Sequence, residues 1–359
     1  MTESATAHRD ALVERLFSAT VGAFDLVGVY LGVRLGLYRH LAEGGAMTSA
    51  SVAAAAAIDE RYAREWLEQQ ATTGILEAER DGDEWRFTLP AGHQEPLLHE
   101  DSLNYVAPFA QFLLGCVRPI DALVEAYRTG EGVPYGQYGS DLYRAQAAFT
   151  RPMFVQLLAQ EWLPALSAVD ARLRADPPAR VADLACGGGV SSVAIATGYP
   201  KVSVDGIDLD APSIEEARAY LAGSGVEDRV DFHVRDGADP QLRGRYDLVT
   251  IFEAVHDMSY PVAVLQAARD LLSEGGCVLV GDELTSEAFG AADDELERLY
   301  YGFSVLHCLP VGMIGEDAAG TGTVMRAETL ERYARTAGFG SVEIAPIEND
   351  FWRFYVLRP

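Results

Sequence analysis

Three small residues and an acid form the most distinctive chemical pattern in the sequence, Asp183-x-Ala185-x-Gly187-x-Gly189. The pattern follows an apolar run and precedes a helix-like segment, which predicts a buried strand, a tight turn and a helix N-terminus. Glycine permits a positive φ in such a turn and lets a ligand lie against bare backbone. Because the first N–H groups of the following helix are free, the pattern predicts a site for a polar or anionic ligand group.

Further acids are spaced so that they would reach the same ligand. Asp208 ends the second predicted strand, 19 residues after Gly189, close to the offset at which an acid binds a ribose diol in nucleotide-binding folds. A carboxylate that accepts two hydroxyl protons makes a strong, directional contact. Asp210 is the competing choice, and the third predicted strand ends at Asp236 and Gly237. Ligands of open parallel sheets bind at the carboxyl ends of strands, so we expect these acids to converge.

A group that could accept a proton follows the fourth predicted strand, in the run from Phe252 to Met258. Histidine has an ordinary pKa of about 6.5, so His256 is a candidate general base at neutral pH. A structural histidine, hydrogen-bonded at a strand end, is the alternative. Glu253 is a candidate for orienting an acceptor or a cofactor, and Asp257 is predicted to be a helix N-cap rather than a catalytic acid.

In order and spacing these motifs resemble class I S-adenosylmethionine-dependent methyltransferases, and the His-Asp pair resembles the site of winged-helix small-molecule O-methyltransferases. The sequence departs from the family patterns at Ala185, where Gly is more usual, and at Met258, where Trp is usual. An NAD-dependent oxidoreductase is disfavoured, because Ser192 stands where the dinucleotide fingerprint needs its third glycine. The alternatives left open are N- or C-methylation and a regulator that senses the cofactor without turnover.

The resemblance implies S-adenosyl-L-methionine as cofactor, S-adenosyl-L-homocysteine as product, and an aromatic or natural-product hydroxyl as acceptor, with His256 and Glu253 as catalytic residues. The cofactor-binding residues that it implies are Asp183, Ala185, Gly187, Gly189, Asp208, Leu209, Asp236, Gly237 and Phe252. Aromatic and apolar stretches predict an acceptor pocket, although a lid packed on the core would have the same composition. Its candidate residues are Tyr135, Tyr138, Tyr301, Phe303 and His307, the last also a second candidate base.

Short apolar runs alternate with helical segments from Arg180 onward, as in a doubly wound α/β sheet. The last two runs resemble the antiparallel hairpin that closes the class I sheet, so we expect a Rossmann-like seven-stranded methyltransferase sheet, mostly parallel. An insertion at 287–326 precedes the last predicted helix, Ala327–Ala337. The predicted strands are Val181–Cys186, Ser203–Leu209, Val230–Arg235, Tyr246–Phe252, Gly276–Gly281, Ser341–Ile347 and Trp352–Leu357.

Upstream of the sheet, residues 1–93 show the order helix, helix, hairpin and resemble a winged-helix domain of mainly α structure. They carry 8 Arg against 14 Asp or Glu, which argues against DNA binding. The broad apolar stripe of Ala11–Leu41 predicts a homodimer seam. Residues 94–178 are predicted to be a helical connecting segment and lid that stops at two prolines, and 179–359 to be the cofactor-binding domain.

The composition limits the partners. With 359 residues, 49% of them hydrophobic, and a net charge of −26, the chain suits a soluble protein that binds a small molecule. Its charge repels nucleic acid and anionic membrane surfaces. The N-terminus lacks the features of a signal peptide and no long uninterrupted apolar run occurs, so we expect a cytoplasmic protein. Four scattered cysteines and no clear carboxylate or histidine cluster leave no metal site predicted.

Overall fold

The structure, a computed structural model, describes residues 3–237, 245–290 and 294–359. Its elements fall into two compact units, Met1–Leu114 and Gly115–Pro359. Each unit has buried apolar clusters of its own, as expected of separate domains.

Helices and one β-hairpin form the first unit. The predicted apolar segment 11–41 is two helices, because the chain turns at Gly36, where φ is 67°. Thr48 caps the third helix, its hydroxyl accepting the N–H of Ser51 at 3.2 Å. The element bounds are α1 Glu3–Arg34, α2 Leu37–Gly44, α3 Ser49–Ala56, α4 Glu60–Thr72, β1 Glu77–Asp81, β2 Glu84–Thr88, α5 Ala91–Leu98 and α6 Pro108–Val117, the last extending into the second unit.

Helix α1 exposes a large apolar surface. Phe17 is 70% exposed and Phe24 69% exposed, and several aliphatic side chains of the same helix are also exposed. Its segment Ser4–Arg34 is long and apolar enough to cross a membrane, but the same length and composition also occur in core helices of soluble proteins. Exposed apolar area of this size in a folded domain points to a partner surface.

The second unit begins with helices that pack on the sheet. Leu158 and Trp162 share one buried cluster with Val181 of the first sheet strand. The predicted boundary at 178 therefore falls inside this unit, and the boundary at 93 falls inside the first. The bounds are α7 Ile120–Thr129, a 3₁₀ turn Tyr135–Gln137, α8 Ser140–Met153, a π-helical stretch Phe154–Trp162, α9 Leu163–Ala165 and α10 Ser167–Arg174.

A seven-stranded sheet forms the centre of the second unit, in the order β5-β4-β3-β6-β7-β9-β8. Strands β3 to β7 are parallel, while β9 runs antiparallel to both β7 and β8, which confirms the predicted sheet. The strands are β3 Arg180–Leu184, β4 Ser203–Asp208, β5 Val230–Val234, β6 Tyr246–Phe252, β7 Leu272–Glu283, β8 Ser341–Ile344 and β9 Trp352–Arg358.

Helices cover both faces of the sheet. Neighbouring residues of β3 enter opposite clusters, Val181 on one face and Ala182 on the other, as strand alternation requires. The helices are α11 Val190–Gly198, α12 Ala211–Leu221, α13 Pro261–Leu271 and α16 Ala327–Thr336. The insertion contains α14 Glu295–Phe303, a π-helical stretch Ser304–Cys308 and α15 Leu309–Gly312, and its residues 291–293 lie outside the described residues.

Candidate active site

The predicted glycine turn connects β3 to α11 with left-handed backbone. Ala185 has a φ of 55° and Gly187 a φ of 50°, so the alanine that replaces a glycine accepts a conformation that L-residues rarely adopt. Gly189, with a φ of 75°, precedes α11 at its N-terminus, where a Cβ would overlap the ring of Phe232. No heavy atom of the described chain lies within 4 Å of where a Cβ of Gly187 would stand. This bare backbone can meet a ligand.

Asp183 connects the turn to the start of α11 and to β6 by hydrogen bonds. Its carboxylate accepts hydrogen bonds from the hydroxyls of Ser191 (2.6 Å), Ser192 (2.7 Å) and Thr250 (2.7 Å). Burial raises the pKa of Asp183, and these hydroxyls partly offset that effect. Because Asp183 is 1% exposed, the geometry favours a role in ordering the turn over the direct contact with the cofactor that the family resemblance implies.

Asp208 is oriented by backbone at the end of β4. Oδ2 accepts the N–H of Gly187 at 2.9 Å, and Oδ1 accepts the N–H of Asp210 at 2.8 Å. Each oxygen keeps a second lone pair for a ligand hydroxyl. Burial raises the pKa of Asp208. The competing acid, Asp210, caps α12 by accepting the N–H of Ser213, which leaves Asp208 as the carboxylate beside the turn.

The other predicted cofactor residues lie at neighbouring strand ends. Leu209 is 70% exposed directly after Asp208. Asp236 is exposed and Gly237 half-buried in the turn after β5, and a Cβ at Gly237 would contact Leu184 of β3 at 3.6 Å. The carboxyl ends of β3, β4 and β5 therefore meet at one edge, as predicted.

At the end of β6, the ring of Phe252 belongs to an aromatic core cluster. It packs 5.3 Å from Phe154 and 6.3 Å from Trp352, between ring centroids. The ring of Phe252 is therefore part of the core, and only the backbone of this residue could contact a cofactor. Glu253 follows with a φ of 52°, and its N–H donates to the carbonyl of Gly281 on β7 at 2.8 Å.

His256 lies between two carboxylates that end the neighbouring strand. Its Nδ1 is 2.8 Å from Asp282 Oδ1 and 3.0 Å from Glu283 Oε2. Nδ1 carries at most one proton, and with that proton given to Asp282, Glu283 Oε2 lacks a hydrogen bond within the described chain. The imidazole is 2% exposed. The arrangement fixes the ring and its tautomer, as a general base requires.

The electrostatics of this group follow from burial and close charges. Burial lowers the pKa of His256, but Glu283 and Asp282 outweigh burial, and the net pKa lies well above the ordinary value. Burial raises the pKa of Glu253 to about 8 and that of Asp257 to about 6. Burial also raises the pKa of Glu283, whereas for Asp282 the attraction of His256 outweighs burial and lowers the pKa.

A tyrosine loop packs against the insertion beside His256. Tyr138 donates to the carbonyl of Leu306 at 2.9 Å, and its ring meets His307 edge-on at 4.8 Å between centroids. Tyr135 lies 5.7 Å from the same imidazole. Burial lowers the pKa of His307 to about 3, so this ring stays neutral. The Cys308 thiol lies 3.5 Å from Nδ1 of the same imidazole.

Two predicted acceptor residues lie elsewhere on the insertion. Tyr301 is exposed on α14, its hydroxyl 3.3 Å from Arg326 Nη2. Phe303 ends that helix and is half-buried. Of the five predicted acceptor residues, Tyr135 and Tyr138 both pack against the imidazole of His307.

Comparison with known proteins identifies two domains in the chain. Residues 182–278 match the family described as a methyltransferase domain, and residues 23–98 match the Rv2258c-like winged HTH domain. The chain has a class I S-adenosylmethionine-dependent methyltransferase fold, and a winged-helix domain precedes it in the sequence. The ubiquinone biosynthesis O-methyltransferase of Shewanella pealeana is 31% identical over 99 residues. That match covers 28% of this chain and 41% of the relative, less than half of its length.

Solved structures resemble the chain over nearly all of its length. Human N-acetylserotonin methyltransferase in complex with SAM aligns with a TM-score of 0.69 at 18% identity, covering 97% of each chain. Mitomycin 7-O-methyltransferase MmcR aligns with a TM-score of 0.69 at 21% identity, covering 98% of this chain and 99% of the other. At these identities the alignments establish the fold of the chain.

The methyltransferase domain contains site residues that the sequence patterns did not assign. Asp282 and Glu283 end β7, and their pairing with His256 depends on β6 and β7 being neighbours. Asp257 was predicted to be a helix N-cap, and this is wrong: α13 begins at Pro261, and Tyr260 is the residue before it. Asp257 instead lies in the turn after His256, where Asp208 and Asp282 help to raise its pKa.

His256, Asp282 and Glu283 of the methyltransferase domain are also close enough together to bind a metal ion. One ligand atom from each lies within 4.8 Å of the others. The 2.8 Å contact from Nδ1 to Asp282 is a hydrogen-bond distance, and it accounts for the arrangement without an ion. We therefore interpret this group as an oriented imidazole.

Proposed function

We propose that this chain transfers the methyl group of S-adenosylmethionine to a hydroxyl of an aromatic or natural-product small molecule, with His256 as general base. The observation that carries the proposal is the buried imidazole held by Asp282, at the end of the strand beside the glycine turn. The cofactor supplies an activated methyl on a sulfonium, so the protein chiefly aligns the acceptor and takes its proton.

The residues around the turn fit the cofactor. Bare backbone at Gly187 and the backbone-oriented carboxylate of Asp208 suit an adenosyl ribose, whose two hydroxyls a carboxylate can bind. Leu209 offers an exposed apolar side chain beside Asp208, and Asp236 with Gly237 lies at the next strand end. We assign Asp236 and Gly237 to binding of the adenine, and Asp183 to ordering of the turn.

For the acceptor, we propose the space bounded by the tyrosine loop and the insertion. The half-buried ring of Tyr135 provides aromatic surface with a polar edge, and the buried rings of Tyr138 and His307 pack behind it. His256 would take the hydroxyl proton as the oxygen attacks, and Glu253, whose Oε2 is buried without a hydrogen bond among the described residues, would orient the acceptor. Tyr301 and Phe303 would contact the outer part of an acceptor.

Calorimetry and turnover test the proposal together. We expect micromolar binding of S-adenosylmethionine and S-adenosylhomocysteine, no binding of NAD, and methyl transfer to members of a panel of phenols. His256→Ala should abolish transfer while cofactor binding persists. Binding without transfer to any hydroxyl, amine or carbon acceptor would favour the regulator, and an unchanged rate in His256→Ala would remove the base.

The partners and location follow the same reasoning. We propose a homodimer formed through the N-terminal helices, because α1 exposes so many apolar side chains. With a net charge of −26, nucleic acid is a poor partner, and we propose that the protein acts in the cytoplasm.

A further inference from the structure

The buried group around His256 holds more carboxyls than its single cation can balance. We define the His256 cluster as Glu253, His256, Asp257, Asp282 and Glu283, which end β6 and β7 or follow them. The largest charge interactions on its carboxyls are with His256, with one another and with Asp208.

Two carboxylate oxygens of the cluster, Glu253 Oε2 and Asp282 Oδ2, are buried without a hydrogen bond among the described residues. Glu283 Oε2 lies 3.0 Å from His256 Nδ1 and competes with Asp282 for its single proton. An unsatisfied buried carboxylate is costly unless it is protonated or meets a cation. His307, a residue of the insertion, interacts electrostatically with His256. Its Nε2 is also buried without a hydrogen-bond partner among the described residues. These atoms indicate that the cluster is completed by a ligand that carries positive charge.

The cluster also borders the residues assigned to the cofactor. Asp257 interacts electrostatically with Asp208, and Tyr135 interacts with both. The other titratable groups that act on the cluster come from β4, the tyrosine loop, α14, the π-helical stretch that follows α14, and β9: Asp208, Tyr135, Tyr300, His307, Cys308 and Tyr355. Asp208, which we assign to the ribose, and the His256 cluster are therefore close enough for the charge of one to affect the other.

We propose that the His256 cluster exchanges a proton for the cofactor's positive charge: one proton leaves the cluster when the sulfonium binds, and one returns from the acceptor during transfer. This inference rests on the proposed function. The raised pKa values of His256, Glu253 and Glu283 mean that the cluster holds protons before the cofactor arrives. Because the groups interact strongly, they gain and lose protons as a unit.

The exchange keeps the charge of the buried site constant. In the transfer, the acceptor oxygen forms the new C–O bond as the C–S bond breaks, sulfur keeps the electron pair and becomes neutral, and the hydroxyl proton goes to His256. The same linkage prepares the base, since nearby positive charge favours a neutral imidazole. His256 would therefore be ready to accept a proton only while the methyl donor is present.

Titration calorimetry in two buffers of different ionisation enthalpy tests this linkage. Near neutral pH we expect about one more proton released with S-adenosylmethionine than with S-adenosylhomocysteine, which has a neutral sulfur. Sinefungin, with an ammonium in place of the sulfonium, should behave like S-adenosylmethionine. The affinity ratio of S-adenosylmethionine to S-adenosylhomocysteine should rise with pH, by up to about tenfold per unit within the titration range.

Substitutions separate the cluster from the rest of the molecule. Glu253→Gln and His256→Asn should each reduce the excess proton release, because each removes a titrating group. Glu274→Gln is the matched control, an exposed acid at the other end of β7, and should leave the release unchanged. Thermal unfolding checks each variant, and Glu283→Gln replaces one that fails to fold.

Equal proton release with both cofactors in the wild type, or release unaffected by these substitutions, would overturn the inference and leave the proposed function standing. If neither cofactor binds, the proposed function itself fails, and the inference fails with it.

Discussion

At the scale of single residues, the site depends on which carboxylates remain available to a ligand. Asp183 is buried and Asp208 half-buried near the ends of adjacent strands, and their partners differ. Asp183 is occupied by three hydroxyls, while Asp208 is held by two backbone N–H groups and keeps lone pairs on both oxygens. One acid therefore serves the turn and the other is assigned to the ribose.

Asp208→Asn should weaken binding of S-adenosylmethionine by about 10- to 100-fold, since a hydrogen bond to a charged group contributes roughly 1.5–3 kcal/mol. Calorimetry measures the change, and Asp231→Asn, an exposed acid on the neighbouring strand β5, is the matched control. An Asp208→Asn protein that binds the cofactor as tightly as the control would contradict the ribose assignment.

Asp282→Asn should lower kcat by roughly 10²-fold, because the imidazole loses its orienting partner. The pH profile should move as well. His256 works as a base only when neutral, and the charge of Asp282 raises its pKa, so the acidic limb of kcat should shift to lower pH in the variant.

The profile is measured at saturating cofactor, with Asp231→Asn as control. A fall in kcat without any movement of the acidic limb would mean that the titrating group is not His256.

At the scale of elements, the strand–turn–helix unit β3 to α11 needs glycine for a steric reason as well as a conformational one. Gly189 and Gly223 both have a positive φ, but a Cβ at Gly189 would overlap Phe232, while one at Gly223 would meet no heavy atom of the described chain within 4 Å. The two positions therefore separate backbone strain from crowding.

Gly189→Ala should destabilise the fold by about 2–4 kcal/mol, the sum of a left-handed φ and an overpacked core contact. Gly223→Ala should cost about 1–2 kcal/mol, from the backbone alone. Denaturant unfolding measures both, and equal losses would show that Phe232 does not constrain the turn.

At the scale of the whole molecule, the exposed apolar side chains of α1 are not explained by the folding of one chain. Their number on one helix predicts association between copies through this helix. The acidic composition leaves a small-molecule acceptor as the natural counterpart of the catalytic domain.

Phe17→Glu combined with Phe24→Glu should convert a dimer to a monomer, because a buried unpaired charge at an interface costs several kcal/mol. Light scattering coupled to size-exclusion chromatography measures the mass. Phe289→Glu, at an exposed aromatic residue outside α1, is the control and should remain dimeric. A monomeric wild type at micromolar concentration would reject the seam.

How far the sequence reaches is clearest in the sheet. The five parallel strands appear as short apolar runs between turn residues and were predicted on that ground, with Tyr246–Phe252 matched at both ends. The two antiparallel strands were predicted from their resemblance to the hairpin that closes the class I sheet. Local chemistry likewise determined the Thr48 cap and the glycine turn, because caps and left-handed turns depend on residues within a few positions.

Tertiary structure alone decided which distant residues meet. His256 and Asp282 are 26 positions apart, and they touch because β6 pairs with β7 in parallel, with Phe252 opposite Gly281. Because α13 begins only at Pro261, Asp257 is a half-buried acid in a turn instead of a helix cap. Local patterns determine the elements, whereas strand order and register determine which side chains share a low-dielectric site, and thereby their charge states.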